Sequence, residues 1–149
     1  MASYGGIDLG GTKIQTAVLD ADHSVLGSAR RPTPTSGGPA DVAREIEKAM
    51  HDAAKAAELK TEELAGVGIG SPGVIEGGNV TSARNLPGWG GSFPLAQTLE
   101  KSFGCEVRVG NDVQVATAAE FKLGAATGIT VLVTSTLSVV LVIITLAGL

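Results

Sequence analysis

At 149 residues the chain has room for one domain with a real core and is short for a two-domain enzyme. A formal charge of −4 without basic clusters excludes nucleic acid as an expected partner, and a single cysteine, Cys105, excludes an internal disulfide framework. One cysteine and no charged-then-apolar leader fit a reducing, cytoplasmic setting.

Aromatic residues make up only 3%, so the core must rest on Val, Ile, Leu and Ala. Strand-like alternation predicts strands over residues 4–9, 13–19 and 24–31, with Asp20-Ala21-Asp22-His23 turning the last two. Residues 32–39, rich in Pro, Thr and Gly, read as a loop. Val42, Ile46, Ala49, Ala53 and Ala57 then recur at helical spacing. A short apolar strand follows at 64–70, and residues 71–92 form a long Gly/Pro-rich excursion with Val74 to Gly78 loop-like. A helix at 94–103, a strand at 106–109 and a helix at 112–123 complete a β-β-β-α-β-α-β-α order, which predicts an α/β sheet covered by helices. Cys105 lies beside the last strand and reads as a core thiol.

The tail departs from this pattern. No charge appears after Lys122, and residues 129–149 are almost all Val, Leu, Ile, Thr and Ser. The run is long enough to cross a bilayer at about 1.5 Å per residue. Its β-branched content, and Thr134-Ser135-Thr136 as a corner, put buried strands ahead of a membrane helix.

Four places could carry chemistry. In Asp8-Leu9-Gly10-Gly11-Thr12-Lys13, two glycines let backbone N–H groups approach an anion closely. Thr12 adds a hydroxyl, Lys13 a charge, and Asp8 can hold a divalent cation directly or through water. An ordinary β-hairpin with a glycine turn accounts for the same residues equally well. Gly68-Ile69-Gly70-Ser71-Pro72-Gly73 has the letters of a dinucleotide fingerprint but no helix opening behind it. Asn85-Leu86-Pro87-Gly88-Trp89 offers an amide for sugar hydroxyls and a Trp for an apolar wall, or is simply a loop with a docked Trp. Asn111-Asp112 ends a strand and opens a helix, where a carboxylate is either a site group or a plain N-cap. His23 and His51 share no metal-ligand spacing. The chain contains no Walker A loop, no G-x-S-x-G and no H-E-x-x-H.

In this order the four segments resemble the amino-terminal half of a ROK-family sugar kinase of the bacterial glucokinase type, over about residues 5 to 124. The resemblance implies an actin-like, ribonuclease-H-like ATPase domain, α/β with a mixed sheet and flanking helices, whose two lobes close over a hexose and ATP with Mg2+. Asp8, Gly10, Gly11, Thr12 and Lys13 would then form the first phosphate loop, with Asp8 indirectly at Mg2+. Ser71, Pro72, Gly73, Asn85 and Asn111 would line the sugar site, and Asp112 would serve as general base on the acceptor hydroxyl.

Two departures qualify the resemblance. The family's second lobe, with its glutamate–histidine pair and cysteine-rich zinc motif, has no counterpart in this sequence. Where the second Gly-rich loop is expected, Val133-Thr134-Ser135-Thr136-Leu137-Ser138-Val139-Val140 carries no glycine. The expectation is therefore a kinase lobe at residues 1–124 and an altered start of the second lobe at 125–149, weakly active or inactive alone. The competing expectation is a non-catalytic lobe that meets a partner, a second copy or a membrane through residues 129–149. A sugar-responsive repressor is not expected, since no helix-turn-helix precedes the phosphate loop.

Overall fold

Alternating apolar positions at the amino terminus build a meander of β1 (Tyr4–Leu9), β2 (Lys13–Leu19) and β3 (Val25–Pro32) in the computed structural model, which describes residues 2–111. The helix expected at 112–123 and the apolar tail lie outside the described residues. β3 begins one residue later than the sequence predicts. The Asp20 carboxylate accepts the N–H groups of Asp22 and Ser24, both at 2.9 Å, and keeps Ser24 in the turn.

Helix α1 (Pro39–Ala56) starts with proline in its first turn, and Asp41 reaches back to accept the Gly38 N–H at 2.9 Å. Its apolar stripe, including Val42, Ile46, Ala49, Met50 and Ala53, is fully buried against the sheet. Burying Ile46 and Met50 stabilises the fold by roughly 1.5–3 kcal/mol each. A short 3-10 turn at Thr61–Glu63 follows, in which the Glu63 carboxylate accepts the Lys60 N–H at 2.7 Å. It takes up Leu64, so the next strand, β4, runs Gly66–Ser71.

One stretch of the excursion corrects the sequence reading. Val74 to Gly78 is not a loop: β5 (Val74–Glu76) and β6 (Asn79–Thr81) pair antiparallel, with Glu76 opposite Asn79. The two residues between them, Gly77 and Gly78, both have positive φ (57° and 82°), as a tight hairpin turn demands. Three-residue strands are too short to show alternation, which hid this hairpin. Helix α2 (Leu95–Phe103) ends at Gly104 in the left-handed conformation, and β7 (Val107–Asn111) closes the sheet. β7 extends two residues beyond the predicted end because it pairs with β4 as far as Ser71 opposite Asn111.

The five-stranded sheet has the order β3-β2-β1-β4-β7, with β1, β4 and β7 mutually parallel. Both helices lie on one face, where Ile7, Leu9, Ile14, Val18, Val67, Ile69 and Val107 join Leu95, Leu99 and Phe103 in the main core. By strand alternation Tyr4, Gly6 and Asp8 of β1 and Lys13, Gln15, Ala17 and Leu19 of β2 belong to the other face. Tyr4, Ala17 and Leu19 form a separate small cluster there. Among the described residues no helix is long and apolar enough to cross a membrane.

Arg31 ties β3 to α1 through Glu45 at 2.8 Å and Asp52 at 3.0 Å. The Arg31 hydrogen bond, then that of Lys48, hold the Glu45 carboxyl below its ordinary value of 4.5. The Gly38 N–H, then Arg44, do the same for Asp41, ordinarily 3.8. Both groups bind protons more weakly folded than unfolded. Their contribution is therefore present above about pH 4.5 and is lost as pH falls through the lowered values. Thermal melts between pH 7 and pH 2.5 should show Tm level down to about pH 5 and falling below it. Arg31→Gln should flatten that fall, and an unchanged slope would remove Glu45 as a cause.

Candidate functional site

The carboxyl ends of the three parallel strands meet at one edge of the sheet. Register places Asp8 beside Gly70, and Ser71 beside Asn111. In open α/β sheets ligands bind at this edge. Asn111 Nδ2 donates to the Gly73 carbonyl at 2.8 Å, so the end of β7 is fastened to the turn after β4. Gly73 has φ +92°, and a Cβ there would lie 2.5 Å from the Thr81 carbonyl oxygen, so only glycine fits.

The β1–β2 turn stands over the same edge. Gly10 N–H donates to the Lys13 carbonyl at 3.0 Å and closes the hairpin. The carbonyls of Gly10 and Thr12 are taken up by Thr33, whose hydroxyl donates to Gly10 at 2.7 Å and whose N–H donates to Thr12 at 3.0 Å. With these carbonyls engaged by Thr33, the turn can offer N–H groups to an anion. Thr33 is buried and was not singled out by the sequence, because a Pro/Thr-rich loop gives no sign of which hydroxyl turns inward.

The excursion reaches the hairpin at Asn85. A Cβ on Gly11 would lie 3.2 Å from both Nδ2 and the carbonyl oxygen of Asn85, so these two predicted site residues are in contact range. Gly88 in turn abuts the Gly37 carbonyl, 2.7 Å from where its Cβ would be. Trp89 takes the loop-staple role. It is 2% exposed, donates from Nε1 to the Val80 carbonyl at 3.0 Å and packs edge-on against Phe93. That arrangement corrects the apolar-wall reading, since the indole is spent inside the protein.

The remaining predicted residues separate by face. Ser71 is fully buried, its hydroxyl donating to the Pro72 carbonyl at 3.0 Å. Asn111 shares the helix-covered face with Ser71. Asp8 and Lys13, both half-buried, belong to the opposite face, while Thr12 is exposed on the turn. Directly across from Asp8 stands Gln15, only 8% exposed, whose Oε1 is buried with no hydrogen-bond partner. Asp112 lies outside the described residues, as does the segment where a second phosphate loop was expected. A cavity of about 70 Å³ lined by Tyr4, Gly66, Glu106 and Arg108 opens at the other ends of the strands, away from this edge. Cys105 is half-buried, and burial, then Glu100, raise its thiol pKa, so it is poorly suited to act as a nucleophile.

Comparison with known proteins agrees with this architecture. Residues 4–139 match the ROK family. A glucokinase of Thermotoga maritima is 34% identical over 125 residues, which cover 83% of this chain and 38% of that protein. An N-acetylmannosamine kinase of Salmonella newport is 38% identical over 117 residues, covering 77% and 38% respectively. The crystal structure of a ROK family glucokinase from Streptomyces griseus, in complex with glucose and AMPPNP, superposes with a TM-score of 0.70. It is 29% identical and matches 85% of this chain against 38% of its own. The chain thus spans about two fifths of the length of these relatives. Hairpin, strand edge and excursion loop together are the amino-terminal part of an actin-like ATPase fold, and the chain belongs to the ROK family.

Proposed function

We propose that this chain supplies the amino-terminal lobe for ATP-dependent phosphorylation of a hexose, with glucose the leading substrate. The observation that carries the reading is the convergence at one strand edge of the Asp8–Lys13 hairpin, Asn85 against Gly11, and Asn111 fastened to Gly73. The division by face fits two substrates. Asp8 and Lys13 serve the phosphate side; Asn111, Asn85 and the backbone around Gly73 serve the sugar side; the two meet over the strand ends.

In that reading Asn111 and Asn85 hydrogen-bond sugar hydroxyls, while the N–H groups of Gly11 and Thr12 and the Lys13 ammonium hold donor phosphate oxygens. Asp112, next along the chain from Asn111, takes the proton from the acceptor hydroxyl. The hydroxyl oxygen bonds to the terminal phosphorus as the bond to the leaving ADP oxygen breaks. Mg2+ would neutralise charge on the phosphates. Asp8 is the carboxylate that would hold it, and no group of three candidate metal ligands occurs among the described residues. A Mg2+ that keeps waters and takes further oxygens from phosphate fits such a donor set.

The direct test joins residues 1–124 to the carboxyl-terminal part of the Thermotoga maritima glucokinase and couples ADP release to a dye. Sugar-dependent ADP release with glucose, exceeding that with N-acetylmannosamine, is the expected result. No release with either sugar from a folded protein would sink the proposal. The unfused 149-residue chain, which spans about two fifths of these relatives, should turn over far more slowly.

A further inference from the structure

The hairpin between β1 and β2 turns through Gly10 and Gly11, which lets its backbone approach an anion and also leaves it loose. A peptide unit between two glycines has no Cβ on either side to oppose rotation of its plane. Its N–H and carbonyl lie on opposite sides of one planar trans unit, so rotation exchanges one for the other. An N–H turned toward a phosphate attracts it, and a carbonyl in the same place repels it. The orientation of the Gly10–Gly11 peptide therefore decides whether the turn can serve as an anion site.

Thr33 controls that orientation. Its hydroxyl donates to the Gly10 carbonyl at 2.7 Å, and that carbonyl shares its plane with the Gly11 N–H. Its own N–H donates to the Thr12 carbonyl at 3.0 Å, so one residue grips the turn before and after Gly11. Thr33 is itself well held. It is 4% exposed, and Pro34 after it confines it to extended backbone. At the far end of the same loop the Asp41 carboxylate accepts the Gly38 N–H at 2.9 Å, and Gly88 backs the Gly37 carbonyl.

We propose that Thr33 is a positioning residue that locks the Gly10–Gly11 peptide with its N–H directed at the donor phosphate. It touches no substrate in this role and acts through the turn. The hydroxyl is the part that matters: valine has nearly the same shape but would leave the Gly10 carbonyl without this donor. The inference rests on the phosphate-hairpin reading, because with no anion over the turn the lock would serve the fold alone.

The experiment titrates the full 15N-labelled chain with inorganic pyrophosphate and follows the amide resonances of Gly11 and Thr12, alongside thermal melts. Both resonances should shift in the parent chain. Thr33→Val should weaken pyrophosphate binding about tenfold. Its Gly11 amide should also broaden before any pyrophosphate is added, as the freed peptide exchanges between two orientations. Thr33→Ser keeps the donor and should bind within about twofold of the parent. Thr33→Ala removes the same hydroxyl without the branched methyl groups and should reproduce the loss. A lower Tm with unchanged pyrophosphate affinity in Thr33→Val would make Thr33 purely structural and overturn the proposal. A tenfold loss in Thr33→Ser overturns it as well. If Thr33→Val and Thr33→Ala both fail to fold, the hydroxyl serves stability and the proposal falls. The parent chain separates the two levels. If its Gly11 and Thr12 resonances do not respond to pyrophosphate, the phosphate-hairpin reading falls too; if they respond and Thr33→Val binds as the parent does, only the role of Thr33 falls.

Discussion

Phe103→Ala is expected to destabilise the fold by about 3–5 kcal/mol. Phe103 is fully buried at the last turn of α2, where it joins the core under β4 and β7 and meets His51 of α1 edge-on at a centroid distance of 5.9 Å. It is the largest of the fully buried side chains, in a chain with three phenylalanines. Trp89 and Phe93 are engaged with each other in the excursion and do not fill the space. Truncation therefore removes both transfer free energy and contacts that α1, α2 and the sheet share. Against a typical domain stability of about 5–15 kcal/mol this is a large fraction, equivalent to a fall in Tm of roughly 10–20 °C. Urea denaturation with Phe103→Leu alongside is the measurement. Leu should lose much less, and a loss under about 1 kcal/mol for Ala would show that Phe103 does not join the two helices to the sheet.

Asp112→Asn is expected to lower kcat for hexose phosphorylation by about 10²–10⁴, in the same fusion that tests the activity. Asparagine keeps the size and one acceptor oxygen, so sugar binding should change much less than turnover. A loss confined to kcat would place the carboxylate in the transition state rather than in ground-state binding. The register supports the position tested, since Asn111 pairs with Ser71 at the carboxyl edge and Asp112 is the next residue. A fall of less than about tenfold, or one expressed as a raised KM, would reduce Asp112 to a helix cap. The companion change Asn111→Ala should act differently. It removes the hydrogen bond to the Gly73 carbonyl as well as the proposed sugar contact, so hexose KM and Tm should both move.

The two changes probe different levels of the molecule, and they differ in how readily sequence could anticipate them. The β1–β2 hairpin was readable because its signals are local: alternation on both sides of a Gly-Gly turn and a carboxylate at the strand end. Helix α1 was readable because Val42, Ile46, Ala49 and Ala53 repeat at helical spacing, which a half-buried helix requires. The β5–β6 hairpin was not, since three-residue strands carry no period and their stability comes from pairing across Gly77-Gly78 and from Val80 bonding to Phe93. Trp89 was undecided for the same reason. Whether an indole faces a ligand or the core depends on the Val80 carbonyl and Phe93 ring that folding brings to it.

Sequence alone therefore determined the β1–β2 hairpin, the α/β order and the family. The hairpin follows from residue type and spacing within one short stretch, and the family from the order of four such stretches along the chain. Only the tertiary structure decided what shares the edge with that hairpin. Asn85 reaches Gly11, Asn111 reaches Gly73 and Thr33 takes the turn carbonyls across separations of many residues, which no local pattern encodes. The pairing of Asp8 with Gln15 belongs to the same class. It is a property of strand register and burial.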